Sequence, residues 1–184
     1  MRVITGSCRG KKLKTLDSMD TRPTTDMVKE AVFSIIQFDV SGSSVLDLFA
    51  GSGQMGIEAL SREAVHCVFV DRNPDAVAII KDNVSACGFL KQSRVLNMDS
   101  IEYLKTAKAG LDIVFIDPPY RMGLIEQALP LVESKLNDGA IVVCEHEKEL
   151  TLGEEYGRLK LHKRYKYGKT ALTVYKTPVK EEDF

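Results

Sequence analysis

The 184-residue chain has no apolar run approaching the 18 or more residues that a membrane-spanning helix needs. Its first residues, from Met1 to Lys12, carry charge where the apolar region of a secretory signal would lie. A cytoplasmic protein with no membrane partner is expected. Only four cysteines and three histidines are present, and no two cysteines are spaced as a C-x-x-C pair, so no metal is expected. Cys67, Cys87 and Cys144 lie in apolar segments and read as small core hydrophobes. His66, His146 and His162 read as surface or strand residues. Internal repeats and low-complexity tracts are also missing. What remains is an ordinary globular composition, 44% hydrophobic and 28% charged, long enough for one domain to bury a core without disulfides.

Acids are missing from both ends. Residues 1–14 hold Arg2, Arg9, Lys11, Lys12 and Lys14 and no Asp or Glu. Residues 158–176 hold Arg158, Lys160, Lys163, Arg164, Lys166, Lys169 and Lys176 and again no acid. The formal net charge of −1 hides this segregation, because the stretch between the two is strongly acidic. A polyanion-binding face on an acidic body would look this way. Lysines guarding sheet edges would also account for either end taken alone.

Hydrophobic periodicity organises the rest. Val3-Ile4-Thr5 and Lys12-Leu13-Lys14 read as a small hairpin. Val28, Ala31, Val32 and Ile35 mark one helical face, capped by Thr24 or Thr25 with Asp26 in the first turn. Strands are expected at 45–49, 67–70, 94–97, 112–116 and 140–144, and helices at 54–62, from Pro74 to a stop at Gly88, at 100–108 and at 124–136. Pro130 should kink or split the last helix. Two final strands, 158–165 and 170–176, form a hairpin through Gly168. Alternating β and α units imply an α/β fold with a mostly parallel sheet covered by helices on both faces.

Gly51-Ser52-Gly53-Gln54-Met55-Gly56 matches G-x-G-x-x-G between a strand and a helix, and Asp71 follows twenty residues after Gly51. Taken alone, this is a dinucleotide fingerprint, and NAD binding is one reading. Asp47 argues against it. A carboxylate just before the loop repels a pyrophosphate and attracts an ammonium group. S-adenosylmethionine (SAM) carries an ammonium, a sulfonium, a ribose diol and an adenine amine, and no phosphate. Later strand ends add Asp99 and Asp117, which suit the same donor-rich ligand. Either Asp71 or Asp99 by itself would read as a cap.

Asp117-Pro118-Pro119-Tyr120 closes the fourth strand. Its prolines stiffen the turn and remove two backbone donors. Asp117 and the Pro118 carbonyl offer acceptors to a planar amine, and Tyr120 offers an aromatic face. Tyr120 and Phe49 also stand where an aromatic ring could meet a cation. Methyl transfer to an exocyclic amine follows.

These residues resemble a class I SAM-dependent N-methyltransferase. Thr21-Arg22-Pro23-Thr24-Thr25-Asp26, Leu48 to Gly53 followed by Gly56 to Arg62, and Tyr167 to Leu172 further resemble the RsmD family, whose members methylate guanine N2 in 16S rRNA of the small ribosomal subunit. The similarity runs from Arg2 to Tyr175. Gln54-Met55 departs from the commoner Ala-Leu. The resemblance implies a Rossmann-like seven-stranded sheet with a C-terminal antiparallel hairpin, a catalytic core over 41–178 and an RNA-binding extension over 1–40. It implies that Asp47, Phe49, Gly51 and Gly53 line the methionine end of SAM, that Asp71 with Arg72 meets the ribose, and that Asp99 with Ser100 meets adenine. Asp117, Pro118, Pro119 and Tyr120 would hold the guanine, and Arg9, Lys11, Lys12 and Arg22 the RNA, either in the small subunit or in an assembly intermediate. Methylation of DNA adenine or cytosine, methylation of protein glutamine, and a non-catalytic RNA-binding module remain as alternatives.

Overall fold

The computed structural model describes residues 1–16 and 26–179. Arg22 and the capping threonines Thr24 and Thr25 lie outside the described residues, as does the acidic C-terminal tail.

Five strands run parallel: β1 (Ser44–Leu48), β2 (His66–Asp71), β3 (Ser93–Asn97), β4 (Leu111–Ile116) and β5 (Leu136–Glu147). Three antiparallel strands extend the edge: β6 (Glu155–Tyr156), β7 (Leu159–Tyr167) and β8 (Thr170–Lys176). The order across the sheet is β3-β2-β1-β4-β5-β8-β7-β6. The seven expected strands are present, and the two-residue β6 makes an eighth. It is too short to leave a periodic signal and exists only because Leu159 and Lys160 supply its partners.

Each strand feeds two cores because alternate side chains point to opposite faces. On one face, Val45, Phe69, Ile113 and Phe115 pack against Val32 and Phe33 of α1 (Asp26–Ile35), Ile57 of α2 (Gln54–Ser61) and Ile80 of α3 (Pro74–Ala86). On the other, Leu46, Leu48, Val114 and Ile116 meet Leu104 of α4 (Ser100–Thr106) and Ile125 and Leu129 of α5 (Leu124–Glu133). Burial of each such side chain contributes about 1.5–3 kcal/mol. Asn73 caps α3 by accepting the Asp75 N–H, and Pro74 occupies the first turn, where its missing donor costs nothing.

The structure departs from expectation where tertiary pairing decides. Pro130 sits inside an unbroken α5, on its exposed side, where water can bond the carbonyl that the proline leaves without a donor. α5 stops at Glu133, and β5 runs far past 140–144 because it has partners on both edges, β4 and β8. Of the two settings expected for His146, surface or strand, it takes the strand, within β5. It is buried, with Nε2 2.8 Å from Thr173 Oγ1, and burial lowers its pKa. No helix among the described residues is long and apolar enough to cross a membrane.

The N-terminal hairpin is reduced to a single bridge, Arg2 with Lys12. The reason is that α2 takes its donors. Ile4 and Thr5 N–H groups bond Glu58 at 2.8 and 3.0 Å, and Ser7 and Cys8 N–H groups bond Ser61. Gly6 has φ +87°, and a Cβ there would come within 1.7 Å of the Ser61 carbonyl oxygen, so only glycine allows this approach. Glu58 is fully buried and also accepts from Arg62 Nε at 2.9 Å. Lys29 of α1, equally buried, lies 3.8 Å from Glu58 and donates to the Arg2 carbonyl at 2.6 Å. Burial pulls the Lys29 pKa down, and Glu58 opposes that pull. One carboxylate thus joins the N-terminal strap, α1 and α2. Glu58→Ala should cost about 3–5 kcal/mol in denaturant unfolding, because it strands a buried ammonium. A loss below about 1 kcal/mol would show that the network carries little.

Candidate active site

β1 lies between β2 and β4, so the chain changes direction across the sheet at this strand. The crevice at the carboxyl ends of such strands is where ligands of this architecture bind. The glycine loop leaves β1 here. Phe49, Gly51 and Gly53 all take positive φ, 63°, 57° and 77°. Phe49 does so without being glycine, a local strain of the kind found at functional loops. Gly56 fails to accommodate even a methyl group: a Cβ would lie 2.3 Å from the Phe69 ring. That close approach packs α2 onto β2.

Asp47 turns towards the α2 side and accepts the Gly56 N–H at 2.9 Å. It is 4% exposed, and burial raises its pKa to about 7, with the nearby Asp71 carboxylate adding to the rise and the Gly56 bond opposing it. A buried acid held this close to neutral suits a cationic partner. Beside it, Gln54 Oε1 is buried without a hydrogen-bond donor. Both observations fit the ammonium-bearing end of SAM, and neither fits a pyrophosphate.

Asp71, at the end of β2, accepts from Gly51 N at 2.8 Å through one oxygen and from Asn73 N at 2.8 Å through the other. It ties the glycine loop to the start of α3 while keeping lone pairs on both oxygens. Arg72 is exposed beside it, and its carbonyl accepts from Asn97 Nδ2. Asp99 caps α4, taking the Ile101 and Glu102 N–H groups through Oδ1. Ser100 is buried behind it. The three acids therefore lie at or just beyond the carboxyl ends of three neighbouring strands, Asp47 and Asp71 within β1 and β2 and Asp99 two residues past β3. The latter two also do the capping work that their bland readings required.

Asp117 is half-buried just beyond β4, Pro118 is buried and Pro119 exposed. The Tyr120 hydroxyl lies 3.4 Å from Thr170 Oγ1, linking the tetrapeptide loop to the first residue of β8.

A family model described as "Conserved hypothetical protein 95" matches residues 1–176. The chain belongs to that family. The ribosomal RNA small subunit methyltransferase D of Escherichia coli (strain K12) is 34% identical over 186 residues, covering 99% of this chain and 92% of the relative. YlbH of Bacillus subtilis (strain 168), by name a candidate rRNA methyltransferase, is 40% identical over 181 residues, 96% of this chain and 98% of its own. The solved structure of yhhF from Escherichia coli, described as a candidate methyltransferase, superposes with a TM-score of 0.85 at 32% identity, covering 98% of this chain and 99% of that one. A more distant structure, with 18% identity and a TM-score of 0.66, holds S-adenosyl-L-homocysteine in the same fold. The resemblance to the RsmD family and the class I fold read from the sequence are borne out.

The two basic ends of this family member flank the crevice from opposite sides. On one side, Met1 Sδ lies 3.4 Å from Ser52 Oγ in the glycine loop. Asn83 bonds both the Ser52 and Lys14 carbonyls and so fixes the strap to that loop. Arg9, Lys11 and Lys12 are exposed on the strap. On the other side, β7 carries exposed Lys163 and Lys166 and the β7–β8 turn carries exposed Lys169, with the Lys163 ammonium 5.1 Å from the centre of the Tyr165 ring. Several residues of that basic run have internal work instead. Arg158 clamps Glu133, Asp138 and the Leu136 carbonyl; Lys160 pairs with Glu155; Arg164 donates to the Leu152 carbonyl. Asn83 went unnoticed in the sequence, and Gln54 was singled out only as a departure from the family pattern, since a polar residue on an amphipathic helix gives no sign that it will be buried.

Asp47→Asn keeps the acceptor for Gly56 and removes the cost of ionising a buried acid. A folded-state pKa raised above the unfolded one makes the wild type lose stability as pH rises from about 4 to 7. Thermal melting of the ligand-free proteins should therefore show the variant gaining over the wild type across that range and holding its lead at pH 8. Equal melting temperatures at pH 8 would contradict the assignment.

Proposed function

We propose that this protein is a SAM-dependent methyltransferase acting on 16S rRNA of the small ribosomal subunit, at the exocyclic N2 amine of a guanine. The observation that carries the reading is the pairing, in one crevice, of a buried acid suited to a cation at the end of β1 with the Asp117-Pro118-Pro119-Tyr120 loop at the end of β4. The curated relatives, named for rRNA and small-subunit rRNA methylation, support the substrate class.

SAM, when bound, supplies an electrophilic methyl group on a cationic sulfur. Asp47, Gly51 and Gly53 hold its methionine end, Asp71 and Arg72 border the ribose, and Asp99 accepts from the adenine amine while Ser100 backs it. Asp117 and the Pro118 carbonyl accept the two N–H bonds of the target amine. Those bonds turn the nitrogen lone pair towards the methyl and favour its pyramidal form. Tyr120 and Phe49 offer aromatic faces near the positive charge. An aryl amine becomes strongly acidic once methylated and cationic, so no strong base is needed beforehand, and positioning supplies most of the rate. The extra proton leaves to Asp117 or water after the carbon–nitrogen bond has formed.

Residues 1–40 form the RNA-binding extension, with Arg9, Lys11, Lys12 and Arg22 on phosphates, and residues 41–178 the catalytic core. A target in the small subunit or its assembly intermediate places the enzyme in the cytoplasm. NAD is disfavoured by Asp47, whose buried carboxylate would face the pyrophosphate.

Small subunits lacking the modification, incubated with methyl-labelled SAM, should acquire label on guanine; no label in any RNA or particle would refute the proposal. Asp117→Ala should abolish transfer while SAM binding stays within about threefold by calorimetry. Loss of binding instead would mean that Asp117 belongs to the cofactor site. Replacing Arg9, Lys11 and Lys12 should flatten the salt dependence of RNA binding by about one phosphate contact per charge removed. An unchanged slope would move the RNA surface elsewhere.

A further inference from the structure

The sheet register brings a second carboxylate beside Asp117. Ile116 of β4 pairs with Cys144 of β5. The next residue on each strand is an acid, Asp117 on one and Glu145 on the other. Alternation sends both to the face occupied by Phe115 and Val143. There they line one shallow depression, open to solvent, whose remaining wall is Val32, Met55, Phe115, Ile116, Val143 and Leu172. Glu145 is half-buried and Val143, Leu172 and Met55 are buried. Apolar walls around two adjacent acceptors make hydrogen bonds there stronger and mismatches costlier than in water.

We infer that Glu145 is a specificity-determining residue that accepts the N1–H of the target guanine while Asp117 holds the N2 amine. The inference rests on the proposed function and sharpens its substrate. Guanine presents two neighbouring donor groups, N1–H and N2–H2, along one edge. Two side-by-side carboxylates match that edge. Adenine sets its N6 amine beside the N1 lone pair, cytosine sets its N4 amine beside the N3 lone pair, and a glutamine side chain sets its nitrogen beside a carbonyl oxygen. Each of these would point a lone pair at Glu145. The same tetrapeptide serves several amines in other enzymes, so the choice among them must come from its neighbour. Discrimination of this kind is large, because a carboxylate aimed at a donor meets a repelling lone pair when the donor is missing.

The test uses 2-aminopurine, which keeps the N2 amine, replaces N1–H with a lone pair and lacks the 6-oxo group; the Glu145→Gln variant separates the first change from the second. Small subunits are reconstituted with either guanine or 2-aminopurine at the methylated position, mapped beforehand by mass spectrometry. The wild type should favour guanine by about 100-fold or more in kcat/KM. Glu145→Gln can turn its amide to donate to the bare N1. It should lose about tenfold or more on guanine, gain on 2-aminopurine, and bind SAM as the wild type does. If the wild type methylates both substrates within about threefold, the inference is wrong and the proposed function stands. Equal losses on both substrates in Glu145→Gln, with SAM binding intact, would likewise reduce Glu145 to a structural role. A wild type that treats the two substrates alike overturns the inference even if the variant fails to fold. A wild type that labels no guanine at all overturns this inference together with the function on which it rests.

Discussion

A carboxylate buried at the end of the central strand is the constraint around which this molecule is arranged. Asp47 is removed from water, stands near another acid and receives a single strong backbone donor from Gly56. Folding tolerates that cost only if the site has use for a charge it does not itself provide. The glycine loop leaves the strand beside this acid, Asp71 pins that loop from the next strand, and the tetrapeptide loop leaves the neighbouring strand on the other side. A cationic methyl donor and a flat amine acceptor are the pair of ligands that such a crevice serves.

The basic N-terminal strap is mechanically joined to the same helix. Glu58 lies one helical turn beyond Gln54 on α2 and binds the strap that carries Arg9, Lys11 and Lys12. The strap therefore cannot shift without disturbing the loop that α2 opens from. On the far side, the contact of Tyr120 with Thr170 gives the β7–β8 hairpin a similar hold on the substrate loop. The positive surfaces are placed by the elements that place the chemistry, which suits an enzyme whose target is one base in a large polyanion.

Much of this was legible in the sequence, for identifiable reasons. Asn73-Pro74 announces a helix start, and the apolar run before Asp117 announces a strand covered on both faces, because those signals are local. The acids at three neighbouring strand ends were legible because strand ends are legible. Glu145 was not. A single glutamate inside Cys144-Glu145-His146-Glu147 looks like a solvated strand end until the pairing of Ile116 with Cys144 sets it beside Asp117. The length of β5 and the existence of β6 were hidden for the same reason: their extent is fixed by partners distant in sequence. Arg158 misled in the other direction, since its place in an acid-free run gave no hint that Glu133 and Asp138 would meet it.

On the proposed function, the crevice takes a phosphate-free cation against Asp47. Calorimetric titration with SAM and with NADH, repeated in buffers of differing ionisation enthalpy, tests it most directly. SAM should bind and release close to one proton at about pH 6, with the release fading by about pH 8 as Asp47 becomes ionised before binding; NADH should not bind. Binding of NADH with no binding of SAM, or SAM binding that releases no proton at pH 6, would contradict it.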